Sequence, residues 1–195
     1  MKKTILTFLL ITVMSLSCAG LAGCAKENEI TRYYRRLQRA KSATIMIEAD
    51  VPVFGKQNIT IKMDGNKTYH SGSTLLGQDE EYTQTVNGTT SVYTKNLQGN
   101  WTITERVAEG LTVAQAEYYQ KFFNPEDYDY SQETEQFIMK KDIRYEIMDD
   151  MEAYDLKMYI DGKHCRVSGN IYRGIHFPFT LTVKNLNDTT ILLPI

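Results

Sequence analysis

The side chains with the strongest intrinsic chemistry in this 195-residue chain are three cysteines and three histidines, and their spacing removes most of what such residues can do. His70, His164 and His176 lie far apart, with no i, i+4 pair and no neighbouring cysteine pair of the kind zinc needs. His164 and Cys165 are adjacent, but neighbours along a strand point to opposite faces, so they do not form a ligand pair. Cys165 shares a face with Val167 and is expected to pack as a small hydrophobe. Paired carboxylates occur at Glu80-Glu81 and Asp149-Asp150, the raw material of a two-carboxylate hydrolase, but both pairs stand beside turn or strand-end signals, where acids serve solubility. Asp127-Tyr128-Asp129-Tyr130-Ser131 starts like a calcium loop. It then places Gln132 where the loop needs glycine and Ile138 where it needs glutamate. There is no serine in a nucleophile elbow and no phosphate-binding glycine loop. No catalytic residue, metal or other cofactor is expected, and the chain does not read as an enzyme.

Cys24 is different, because its surroundings give it a chemistry. The chain starts basic (Lys2, Lys3), continues apolar from Ile5 to Leu16 and ends its opening zone on Leu21-Ala22-Gly23-Cys24. That is the plan of a signal peptide. Its apolar run of about a dozen residues is short of the roughly 20 that span a bilayer. The four closing residues resemble a lipobox, in which the leucine and two small residues present the cysteine thiol for diacylglycerol transfer before cleavage. Ser15-Leu16-Ser17-Cys18 has its bulky residue one place too late. Residues 1–23 are thus expected to be removed and 24–27 to form a lipidated tether. Residues 28–195 are expected to form one domain, held by acyl chains on the extracytoplasmic face of the cell membrane. Losing Lys2 and Lys3 leaves 20 basic and 24 acidic side chains, a net of −4 that argues against a nucleic-acid partner. Only Cys165 would remain as a free thiol, so no intrachain disulfide is expected.

From Asn28, a capping residue, apolar positions recur at Ile30, Tyr33, Tyr34, Leu37 and Ala40, the spacing of a one-sided helix ending near Ser42. Arg32, Arg35, Arg36 and Arg39 fall together on the opposite side. This basic stripe begins eight residues after Cys24, no more than about 25 Å of extended chain from the lipid, and is expected to face headgroups or a protein partner. From Ala43 the period changes to two: Ile45, Ile47 and Ala49, then Ile59, Ile61 and Met63, alternate with polar residues as in half-buried strands. Asp64-Gly65, Asn87-Gly88 and Asp161-Gly162 mark tight hairpin turns. Further strands are predicted at 81–86, 89–95, 101–105, 143–148, 154–160, 163–168, 177–184 and 189–193. One mid-chain helix interrupts them, opened by the capping box Thr112/Gln115, striped by Ala114, Tyr118 and Phe122, and closed by Asn124-Pro125. Tyr118, Tyr119 and Phe122 are candidate ligand-facing aromatics. The acidic, tyrosine-rich segment 126–135 reads as an exposed loop.

The fold class is α+β, a curved antiparallel sheet with the two helices on its concave side. The order of elements, and especially Phe177-Pro178-Phe179-Thr180-Leu181-Thr182-Val183 leading into Ile191-Leu192-Leu193-Pro194, resembles the lipoprotein-carrier (LolA-like) superfamily. The resemblance implies a half-barrel whose mouth is closed by helices. Within that superfamily the chain is most similar to the small germination-related lipoproteins of spore-forming clostridia, whose representative binds a cell-wall amidase. Two functions follow as expectations. One is a membrane-anchored, non-enzymatic partner of an exported protein, an amidase by the resemblance. The other is a carrier of a lipid or other lipophile in the concave face.

Overall fold

The computed structural model describes residues 29–74, 77–96, 98–107, 121–148 and 150–194. Residues 29–39 form helix α1, the amphipathic segment expected from its apolar spacing. The strands that follow are β1 (Ser42–Val51), β2 (Gly55–Asp64), β3 (Lys67–Thr74), β4 (Gly77–Val86), β5 (Thr89–Lys95) and β6 (Trp101–Val107). Then come β7 (Tyr128–Ser131), β8 (Gln136–Met139), β9 (Arg144–Met148), β10 (Met151–Asp161), β11 (His164–Tyr172) and β12 (His176–Lys184). All twelve join one antiparallel sheet in the order β6-β5-β4-β3-β2-β1-β12-β11-β10-β8-β7, with β9 paired to β10. Pairing of the first strand with the last makes β1 and β12 the centre. The first six strands meander away on one side, and the last six return on the other.

The hairpins form where the turn residues permit positive φ. Gly65, Gly162 and the pair Asn87 and Gly88 all adopt it, as two-residue hairpin loops require. Registers then sort the side chains onto two faces. Ile45, Ile47 and Ala49 stand opposite Val183, Leu181 and Phe179, and these in turn align with Cys165, Val167 and Gly169. That face is apolar. The other carries Glu48 opposite Thr180 and Met46 opposite Thr182, continued by Arg166 and Ser168. The buried residues of α1, Ile30, Tyr33 and Leu37, belong to the same core as the apolar face.

The second helix of the sequence reading falls largely on residues 108–120, which lie outside the described residues. Its expected end, Lys121–Phe123, is one turn of 3-10 helix, so α1 is the one α-helix among the described residues. The segment 126–135 is not an exposed loop. After a 3-10 turn over Pro125–Asp127 capped by Asn124, it forms β7 and its hairpin to β8, with Tyr128 opposite Met139 and Tyr130 opposite Phe137. Inward tyrosines alternate with outward Asp129 and Ser131, and the acidic composition masked that period of two. Residues 189–193, expected as a strand, join no ladder. They are tied down instead by side chains: Thr189 N–H donates to Ser42 Oγ at 3.1 Å, and Ile191 N–H to an Asp64 carboxylate oxygen at 3.0 Å.

One irregularity shapes the core. The β10 register slips between Tyr154 and Lys157, with Asp155 in the left-handed region at φ 52°, and the resulting β-bulge turns Leu156 fully inward. Gly169 lies beneath it, where an added Cβ would meet Leu156 Cδ2 at 2.5 Å and the Tyr154 carbonyl at 2.9 Å. Gly169→Ala is therefore expected to cost about 1–3 kcal/mol by overpacking, and Leu156→Ala about 2–5 kcal/mol by cavity formation. Urea unfolding midpoints check both; a Gly169→Ala midpoint equal to wild type would contradict the close approach.

Candidate functional site

On α1 the division read from the sequence is realised. Arg32, Arg35, Arg36 and Arg39 are exposed, while Tyr33 on the opposite side is 1% exposed. Arg36 Nη1 donates to the Gly162 carbonyl at 3.1 Å, which fixes the cationic stripe beside the β10–β11 turn. Leu21, Ala22, Gly23 and Cys24 lie outside the described residues, as do Tyr118 and Tyr119. Phe122 is described, and it is a core residue, 1% exposed. Its ring packs against Tyr145 at 5.7 Å and Phe179 at 6.3 Å between centroids. Phe123 stacks on Tyr33 at 5.8 Å and Tyr34 at 5.5 Å, so the pair of phenylalanines joins α1 to the sheet.

The polar face of β3–β6 carries a cluster that the sequence reading missed. Tyr69 packs on Tyr82 at 4.7 Å, and Tyr82 meets Trp101 edge-on at 5.3 Å. Lys62 lies over the Tyr69 ring and Lys95 over Trp101, at 5.0 and 4.9 Å, within reach of cation–π attraction. Glu80 sits at the centre, accepting from Lys95 Nζ at 2.7 Å, Tyr69 Oη at 3.1 Å and Tyr82 Oη at 3.4 Å. The hydrogen bond from Lys95 holds its carboxyl below the usual carboxylate range, against the opposing effect of burial. Such a saturated, ionised acid does not serve as a proton donor, and the cluster is a rigid surface. A signal for it was present: counting outward from the Asn87-Gly88 turn pairs Tyr82 with Tyr93 and places Glu80 on the same face. Glu81 alternates to the other face, so Glu80 and Glu81 do not act as a carboxylate pair. Asp150 is exposed in a turn.

The remaining candidates resolve as structural. Cys165 is 1% exposed, and burial pushes its thiol pKa well up, which makes it inert. His164 is exposed on the opposite face. Asp127 accepts from Tyr145 Oη at 2.6 Å and from the Asn124 amide at 2.9 Å, serving the fold of the 121–128 segment. Tyr154 Oη and His176 Nδ1 share a hydrogen bond at 2.6 Å on the exposed polar face. Among the described residues no group of three His, Cys, Asp or Glu side chains is arranged to hold a metal, and no helix is long and apolar enough to cross a membrane.

No family model matches the chain, and no curated protein matches it. Among solved structures it is similar to the ywiB protein from Bacillus subtilis, at 10% identity over 73% of this chain and 89% of that one, with a TM-score of 0.20. A likeness of that size carries no argument.

Two outcomes are expected. Because the folded-state pKa of Glu80 lies below its unfolded value, its stabilisation is complete above the unfolded carboxylate pKa and is lost as pH falls through the lowered one. Glu80→Gln should cost about 1 kcal/mol at pH 7, with the gap to wild type narrowing as pH falls through the lowered pKa. Fluorescence of the chain's one tryptophan, Trp101, reports this unfolding; a gap that widens on acidification would contradict it. In the mature chain carrying Cys24→Ala, Cys165 should resist aromatic disulfide reagents until urea unfolds the protein, whereas stoichiometric labelling of the folded chain would contradict its burial.

Proposed function

We propose that the protein is a membrane-anchored, non-enzymatic surface lipoprotein that binds another exported protein on the extracytoplasmic face of the cell membrane. Its sheet is read as the half-barrel of the lipoprotein-carrier superfamily, with the segment before Phe122 as a second helix on the concave side. Anchoring runs through acyl chains on Cys24. By resemblance to the germination-related lipoproteins of clostridia, the partner is a cell-wall amidase. The observation that carries this reading is the filling of the apolar sheet face. Ile30, Tyr33, Leu37, Phe122 and Phe123 are all buried in one core with β1, β11 and β12. A carrier needs an open apolar cavity of several hundred Å³ there, whereas a binding partner needs only a rigid scaffold and exposed surface.

A second reading, as carrier of a lipophile with a polar head, is favoured by one observation. The buried hydroxyl of Tyr33 has no hydrogen-bond partner among the described residues. Buried hydroxyls of this kind call for water or a ligand's polar atom.

The test is a pull-down from an envelope extract with the mature chain carrying Cys24→Ala, followed by mass spectrometry of retained proteins and lipids. A stoichiometric cell-wall hydrolase without lipid is the expected result. A stoichiometric lipid without protein would overturn the reading in favour of the carrier. The anchor has its own check: Cys24→Ala in cells should move the protein from the membrane to the soluble fraction, and continued membrane retention would contradict lipidation.

A further inference from the structure

Three turns lie together at the end of the sheet remote from the β10–β11 turn: 52–54 between β1 and β2, the turn at Asp150 between β9 and β10, and 173–175 between β11 and β12. The first is closed by the Phe54 N–H donating to the Val51 carbonyl at 3.1 Å. It has Pro52 in its second position and Val53 in its third, at φ 75°, where such a turn wants glycine. A β-branched residue held in the left-handed region is strained. Nothing in the fold repays that strain, because Val53 is 98% exposed and Phe54 beside it 51% exposed. Ile175, on the turn leading into the neighbouring strand β12, is 43% exposed. Counting from the Ala49–Phe179 pair, Val53 and Ile175 each lie four residues further along, which puts both on the same rim. The result is an apolar knuckle at one end of the molecule.

Two clefts flank it. One, of about 350 Å³, is lined by Glu48, Asp50 and Lys56 together with Pro178 and Thr180. The other, of about 450 Å³, is lined by Glu146, Asp150, Glu152 and Tyr172 beneath Gly174. Glu152 is bridged to Arg144 at 3.0 Å. The other four carboxylates are exposed, against the cations Lys56 and Arg173, so the rim is acidic. The arginine stripe of α1 sits at the opposite end, beside Gly162. An anionic bilayer attracts the arginine end and repels the acidic one. An apolar anchor with an acidic surround fits instead a protein with an apolar pocket and basic residues around it.

We infer that the Val53-Phe54 knuckle, with Ile175 and the acidic clefts beside it, is the surface that docks a partner protein carrying an apolar pocket rimmed by lysine or arginine. This inference rests on the partner-binding reading above and names its surface. The test compares captures from an envelope extract by the mature Cys24→Ala chain, by the same chain with Val53→Gly, and by the same chain with Val53→Asp. Glycine prefers the φ that Val53 adopts, so Val53→Gly removes the side chain without a folding penalty. The expected result is capture reduced at least tenfold by Val53→Gly, abolished by Val53→Asp and weakened by 0.5 M salt. A photo-crosslinker placed at position 53 should land in an apolar, basic-rimmed patch of the captured protein. A partner captured equally by all three chains would overturn the knuckle as the interface while leaving the partner reading intact. No stoichiometric capture by the Val53 chain would sink both. Val53-dependent binding to anionic vesicles, or a Val53-dependent dimer in sedimentation, would assign the knuckle to another occupant and overturn the proposal.

Discussion

Tyr33 and Phe123 stack 5.8 Å apart, and this contact with its neighbours joins parts of the chain that the sheet alone does not hold. An antiparallel sheet with one apolar face is unstable in water until something covers that face. Here α1 supplies Ile30, Tyr33 and Leu37, and the 121–123 turn supplies the two phenylalanines, all in one core with Val167, Leu181 and Val183. The arrangement also fixes what the molecule presents. With the apolar side of α1 consumed by packing, its arginines face outward, and Arg36 is held at the Gly162 carbonyl.

Away from that core the sheet is stabilised by other means. On β3–β6 the inward side carries threonines that pair across strands, Thr68 with Thr83 at 2.6 Å and Thr85 with Thr90 at 2.9 Å. The outward side carries the Tyr69–Tyr82–Trp101 row centred on Glu80. Cross-strand pairs of these kinds are each worth a fraction of a kcal/mol, and together they stiffen a part of the sheet with few core residues. A rigid sheet is what a binding scaffold requires, because interfaces lose affinity to every group they must order.

The amphipathic helix, the hairpin turns and the central strands were legible in the sequence because each rests on a local rule: a period of 3.6 from Ile30 to Ala40, a period of two from Ala43 to Ala49, and glycines where φ is positive. What escaped depends on partners distant in the chain. β3 (Lys67–Thr74) has no aliphatic residue and became a strand through pairing with β2 and β4. β7 hid its inward tyrosines among acids. The stretch 189–193 has the β-branched and aliphatic composition of a strand, yet its backbone bonds go to the side chains of Ser42 and Asp64. The Glu80 cluster draws its members from the five strands β2 to β6 and needs the register of each hairpin before it can be seen. The knuckle was missed for a different reason: Val51-Pro52-Val53-Phe54 has the composition of a strand, and only Pro52 and Gly55 mark the turn.

A filled apolar face suits a binding scaffold and an open one suits a carrier. Phe122 tests this, since its ring is buried against that face, 6.3 Å from the Phe179 ring. Equilibrium urea unfolding of Phe122→Ala, performed on lipid-free mature chain, measures it directly. A packed core predicts a loss of about 3–5 kcal/mol. A loss below about 1 kcal/mol, the behaviour of a side chain lining open space, would contradict the filled face and the binding-partner reading built on it.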